Sequence, residues 1–225
     1  MQIITKRVTF VWRNPYITDG LVAMWDGQWN APGGIHAPDG TRLYELISGV
    51  HEDIASTLAI GRDYWKIDTS SGADRATALS SALQRAVDGG YAHMEVVAFI
   101  NAPATHIYGN YIGVLGGSFG YNPQTGQGGL ALFSSGWVKA TDATLIGQTA
   151  APLAFDIDAT AQTVAYQVGN STDSGAITIP DAIPDRFHFT GAGSRLYCAR
   201  VYDRPLTDAE RAANRAIDRL RFAMN

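Results

Sequence analysis

Two carboxylates two positions apart, Asp156 and Asp158 in the run FDIDA, are the first residues in this 225-residue chain whose types and spacing suggest chemistry. On a strand they share one face, and same-face acids can act as the acid and nucleophile of glycoside hydrolysis. Such a hydrolase would here need a displaced pair, Glu95 with Asp156. GGSFG, residues 116–120, spells the G-x-S-x-G of a hydrolase elbow, but that motif needs a helix straight after its serine. YNPQTGQGG follows instead, so Ser118 is expected in a loop. Asp19, Asp26 and Asp39 are scattered calcium candidates without a D-x-D-x-D-G loop, and no histidines have zinc-ligand spacing. No cofactor is expected, with calcium left open. Cys198, the one cysteine, reads as a packing residue in a strand, and Asn170-Ser171-Thr172 is a formal sequon only.

Sugar recognition is the other chemistry the residue types offer. It needs aromatic faces for sugar C–H groups, flanked by amides and hydroxyls. Three polar, aromatic loop segments provide both, and the candidate ligand-binding residues are Trp29, Asn30 and His36, then Tyr108, Asn110 and Tyr111, then Tyr121 and Asn122. Each aromatic could equally anchor its loop to a core.

Such loops need a scaffold, and the remaining sequence describes one. Short runs of β-forming residues, among them TDGLVAMWDG (18–27), AHMEVVAFI (92–100), LAFDIDA and TVAYQVGN, are separated by turn chemistry in a chain with 24 glycines. That pattern predicts an all-β, antiparallel sandwich. Leu79, Ala82, Leu83, Ala86 and Val87 predict a short helix near 77–88, ended by Gly89–Gly90. In SRLYCARVY (194–202), alternation sets Leu196, Cys198, Arg200 and Tyr202 on one face and Tyr197, Ala199 and Val201 on the other. Thr207 and Glu210 then form a capping box that opens a helix over 207–222. Its stripe of Ala209, Ala212, Ala213, Ala216, Ile217 and Leu220 is expected to dock on the sandwich, with Arg211, Arg215, Arg219 and Arg221 as a basic ridge, expected to be a solvated face, with phosphate or sialate contact as the alternative.

The spacing of Arg200, Tyr202, Arg204, Leu206, Thr207 and Glu210, then Asn214, Asp218, Arg221 and Phe222, resembles the C-terminal signature of concanavalin A-like, laminin-G type domains of gut bacterial surface proteins and their phages. DGLVAMWDGQWNAPGGIH (19–36) resembles that family's opening strand and loop, and HMEVVAF (93–99) its central strand. YELISG (44–49) resembles its W-x-D-L-S-G turn, with Tyr44 and Glu45 in the places of Trp and Asp. The resemblance implies a jelly roll of two antiparallel sheets. Related glucanases carry an E-x-D-x-x-E strand, whereas Phe155 precedes Asp156 here and no glutamate follows Asp158; the resemblance implies instead that an aspartate leads this strand into a turn.

The reading is therefore one domain, residues 1–225, with residues 1–17 as an N-terminal strand or docking segment. Its expected role is a non-catalytic, lectin-like binding or adhesion domain for carbohydrate or a surface protein. The alternative is a phage virion component, such as a head fibre, capsid decoration or tail adhesin, which could be a homo-oligomer. A net charge of −4 argues against nucleic acid as a partner, since phosphate binding needs a concentrated basic face. No apolar run approaches the roughly 18 residues of a membrane span, and the first residues lack a signal peptide's apolar stretch. The expected location is extracellular, on a cell surface or in a virion.

Overall fold

The computed structural model describes residues 14–29, 42–53, 58–67, 73–75, 77–99, 111–114, 117–122, 127–131, 137–140, 150–168, 171–176, 187–189 and 195–224. Residues 1–13 of the expected N-terminal segment, and candidates Asn30, His36, Tyr108 and Asn110, lie outside them. In chain order the elements are β1 (Leu21–Asp26), β2 (Arg42–Tyr44), β3 (His51–Asp53), β4 (Leu58–Ile60), β5 (Trp65–Ile67), β6 (Ala73–Arg75), α1 (Thr77–Asp88) and β7 (Tyr91–Phe99). They continue with β8 (Tyr111–Val114), β9 (Gly117–Asn122), β10 (Gln127–Ala131), β11 (Trp137–Ala140), β12 (Ala151–Asp158), β13 (Thr163–Val168), β14 (Ser171–Ala176), β15 (Phe187–Phe189), β16 (Arg195–Tyr202) and α2 (Asp208–Phe222).

The protein is mostly β. One sheet has eight strands in the order β14-β13-β12-β7-β16-β5-β4, with β1 also paired to β16. A second has six in the order β11-β10-β9-β8-β15-β6, and β2 with β3 forms a hairpin. Pairing is antiparallel between β7 and β12, between β7 and β16, and between β1 and β16. The second sheet approaches the first where β11 meets β14 and β10 meets β13.

The two faces of the eight-stranded sheet differ in kind. One carries apolar side chains only across its centre: Ala92, Met94 and Val96 of β7, Phe155 and Ile157 of β12, and Ala199 and Val201 of β16, all buried. The other carries His93 and Glu95 of β7, Asp156 of β12 and Arg200 of β16, and α2 lies across it. Helix α1 rests against β1, β7 and β16, burying Ala82, Leu83, Ala86 and Val87 as the stripe requires. Gly90, at φ +105°, ends it in a conformation that side-chain-bearing residues rarely adopt.

Local chemistry fixes the start of α2. The Thr207 hydroxyl accepts from the Glu210 N–H, and the Glu210 carboxylate accepts from the Thr207 N–H, so the capping box forms as expected. The docking face does not. Asn214, Asp218 and Phe222 are the buried residues of α2, while Ala209, Ala212, Ala213 and Ala216 are exposed and Leu220 is 88% exposed. The helix turns its polar side inward because the sheet beneath it is charged. Arg211 and Arg221, expected in the solvated ridge, reach that sheet too.

Two further expectations are corrected. A β-bulge between Leu196 and Cys198 breaks the alternation, so Tyr197 joins Cys198 and Tyr202 in the cluster packed with Phe222. Ser118 lies in strand β9, paired to both β8 and β10, and not in a loop. The aromatic alternation of Phe119 and Tyr121 suits a strand despite the glycines around it.

Candidate functional site

A seam of ionisable groups runs between α2 and the sheet. At its centre Arg200, 1% exposed, donates from Nη1 and Nη2 to the two oxygens of Asp218 at 2.7 and 2.6 Å. Its Nε donates to Glu95 at 3.0 Å, and its guanidinium lies 4.0 Å from the centre of the Tyr16 ring. Asn214 donates to both Glu95 and the Tyr202 hydroxyl, and its side-chain oxygen accepts from the Ile17 N–H. Tyr16 donates to Asp218 at 2.7 Å. Every charge buried here therefore has partners, as burial demands.

One end of the seam is built around His93. Its Nδ1 lies 2.8 Å from Asp156 and its Nε2 3.5 Å from Glu95. A neutral ring would turn a lone pair onto one of these carboxylates, so the geometry favours the imidazolium. Burial alone would lower the His93 pKa, but the two carboxylates outweigh it and the net shift is upward. Burial likewise opposes ionisation of Glu95, yet Arg200, His93 and Asn214 bring its pKa down to about 2. Asp156 is held below the usual range against burial by His93, Arg211 and Tyr91. Arg211 donates to both Asp156 oxygens at 3.0 and 3.1 Å, and the Tyr91 hydroxyl donates at 2.7 Å.

At the other end Arg221 forks onto Asp26 at 2.6 and 2.8 Å. Asp26 also accepts from the N–H groups of Gln28 and Trp29, which fixes the turn after β1. The same guanidinium lies 4.0 Å from the centre of the Trp29 ring, whose edge meets Tyr16.

What this seam can do chemically follows from its protonation. Glu95 and Asp156 are both held ionised, with His93 between them. Glu95 accepts from Asn214 and Asp156 accepts from Arg211, both of α2, so this pair clamps the helix to the sheet. The expectation that an aspartate opens a turn applies to Asp158, which accepts from the Ala161 N–H at 2.8 Å. Asp156 has the different role just described. Of the calcium candidates, Asp19 pairs with Arg204, Asp26 with Arg221, and Asp39 lies outside the described residues.

The hairpin turn resembling W-x-D-L-S-G is held by its substituted residue. Buried Glu45 accepts from the N–H groups of Ile47 and Ser48 at 2.9 and 2.6 Å and from Met24 of β1 at 2.7 Å. Ile47 and Val50 stand exposed on this turn, beside stacked Tyr44 and His51 rings.

The sequence-derived ligand candidates separate. Trp29 stands at the α2 face of the eight-stranded sheet. Tyr111 opens β8 opposite Gly120, next to Tyr121 and Asn122, so these three gather at one end of the six-stranded sheet. His93, Arg200, Arg211, Asn214 and Asp218 were not singled out as a site. Their signal was present in the Glu95 strand and the C-terminal signature, but their inward orientation was hidden by the alanine stripe.

No family model and no curated protein matches this chain. Solved structures do. A Trypanosoma rangeli sialidase superposes with a TM-score of 0.58 at 14% identity, over 87% of this chain and 32% of that one. A mutant of that sialidase displaying trans-sialidase activity gives 0.61 at 11% identity, over 92% and 34%. The binding domain of botulinum neurotoxin DC in complex with SialylT gives 0.56 at 9% identity, over 92% and 52%. The chain thus spans about a third of the sialidases and about half of the toxin domain. These neighbours correct the expectation of a chain with no enzymatic role: a fold that stands within sialidases gives no ground for excluding one. The expected virion role draws no support from them.

Proposed function

We propose that this chain is a carbohydrate-binding domain whose two antiparallel sheets are the layers of a concanavalin A-like sandwich. The observation that carries the reading is the superposition of nearly the whole chain on sialidases, one solved with sialic acid, and on a toxin binding domain solved with SialylT. Shared architecture among saccharide-handling proteins is an argument from fold, so it is joined to what the chain itself offers. The face of the eight-stranded sheet that is apolar across its centre, with β13 and β14 close to β10 and β11, is what a second layer would cover. The candidates Trp29, Asn30, His36, Tyr108, Asn110, Tyr111, Tyr121 and Asn122 supply the ring and amide groups that sugars need. A work place outside the cell, on a surface or secreted, goes with this reading.

The test is a glycan array followed by calorimetry on whichever saccharides are retained. Binding to at least one saccharide, weakened by Tyr121→Ala or Asn122→Ala, is expected. Silence across neutral and acidic glycans alike would overturn the proposal.

A further inference from the structure

Helix α2 covers only part of the sheet. It passes over β7 and β16, where Asn214 and Asp218 find their partners, and leaves β13 and β14 open at the sheet's edge. On the α2 side the register places Thr163, Ala165 and Gln167 of β13 beside Ala176, Ser174 and Thr172 of β14. All are exposed except Gln167, which is half-buried. The result is a step: a helical wall rising from a floor of hydroxyls, one amide and two small alanines.

The wall is basic. At ~100° per residue, Arg211, Arg215 and Arg219 follow one another along the flank of α2 that faces β12 and β13. Arg211 is committed to Asp156. Half-buried Arg215 donates to the Gln167 side-chain oxygen, which uses one of a guanidinium's five N–H donors. Among the described residues neither Arg215 nor exposed Arg219 has a carboxylate partner, since Glu95 and Asp218 are committed to Arg200. A half-buried cation flanked by two like charges is not a solvated ridge. Burial, then Arg211 and Arg219 against the pull of Glu95, weaken the hold of Arg215 on its proton. An anion would relieve that repulsion.

Resting on the carbohydrate-binding reading, we propose that this step is a subsite for the carboxylate of an acidic sugar. Arg215 and Arg219 grip the acid group, and the hydroxyls of Thr172 and Ser174 meet the ring. A planar guanidinium matches a carboxylate with two parallel hydrogen bonds. The shallow polar floor suits a saccharide better than an apolar ligand, which would seek a deeper, apolar-lined cleft.

Calorimetric titration of the whole chain with sialyllactose and with lactose tests this. Sialyllactose is expected to bind about tenfold or more tightly than lactose, the advantage shrinking as salt rises. Arg215→Gln with Arg219→Gln should remove that advantage while the thermal midpoint stays near wild type, and Arg215→Lys should keep only part of it. Full sialyllactose affinity in the double variant, or equal affinity of the wild type for both sugars, would overturn the subsite and leave the carbohydrate reading standing. Failure of the wild type to bind any saccharide on the array would overturn both.

Discussion

Arg200 and Asp218 meet through two parallel hydrogen bonds of 2.7 and 2.6 Å, with both side chains 1% exposed. They join the last strand to the helix that follows it, and Tyr16 closes over both. Breaking such a pair leaves a buried charge without its partner. Asp218→Asn or Arg200→Met should each lower stability by about 3–5 kcal/mol, read from urea denaturation midpoints. Arg200→Met with Asp218→Leu should recover part of that loss, because neither charge of the pair then remains to be desolvated, while Glu95 loses Arg200 and keeps His93 and Asn214. Midpoints near wild type in both single variants would show that the pair is dispensable.

The orientation of α2 gives a second comparison. Phe222 packs against Tyr197 in the core cluster, and Phe222→Ala should cost about 3–5 kcal/mol. Leu220, on the opposite side and 88% exposed, should tolerate Leu220→Glu within about 0.5 kcal/mol. Thermal unfolding of the two variants decides which side of the helix is inside.

Stability should be bounded in pH by the His93 cluster. Glu95, with its ordinary value of 4.5 lowered to about 2, and Asp156, lowered from 3.8, contribute stability that is full above those ordinary values. It is lost as pH falls through the lowered ones. His93, raised from 6.5, contributes stability that is full below 6.5 and is lost as pH rises through its raised value. The melting temperature should therefore be highest between 4.5 and 6.5. His93→Gln should flatten the alkaline decline and also weaken the acid one, since His93 helps to hold Glu95 and Asp156 ionised.

Glu45 offers a local test. Its carboxylate gathers three backbone N–H groups, from Met24, Ile47 and Ser48, and Glu45→Ala would leave the buried Met24 donor without an acceptor at about 1–3 kcal/mol. Hydrogen exchange should accelerate first at Ile47 and Ser48. Unchanged protection there would refute the staple.

Strands and helix ends were legible in the sequence because their signals are local. The capping box of Thr207 and Glu210, the Gly89–Gly90 stop and the β-rich run from Ala92 all lie where they were read. The docking face of α2 was not legible by hydrophobicity, since a stripe rule assumes an apolar partner and the sheet beneath α2 presents Glu95, Asp156 and Arg200. Only knowledge that β7, β12 and β16 are neighbours brings those charges together, and that adjacency is non-local. Tyr197 was misplaced for a smaller reason: one bulged residue inverts the alternation on which face assignment rests. Tyr111, Tyr121 and Asn122 could be named as polar and aromatic, but their gathering at one sheet end required the β8–β9 register.

Because α2 follows in the chain every strand it covers, a ribosome delivers the sheet before its lid. Until that helix emerges, Glu95, Asp156 and Arg200 remain hydrated and the nascent layer stays ajar. Closure is then a late, largely electrostatic latching, to be expected more sensitive to salt and acidity than the collapse that precedes it.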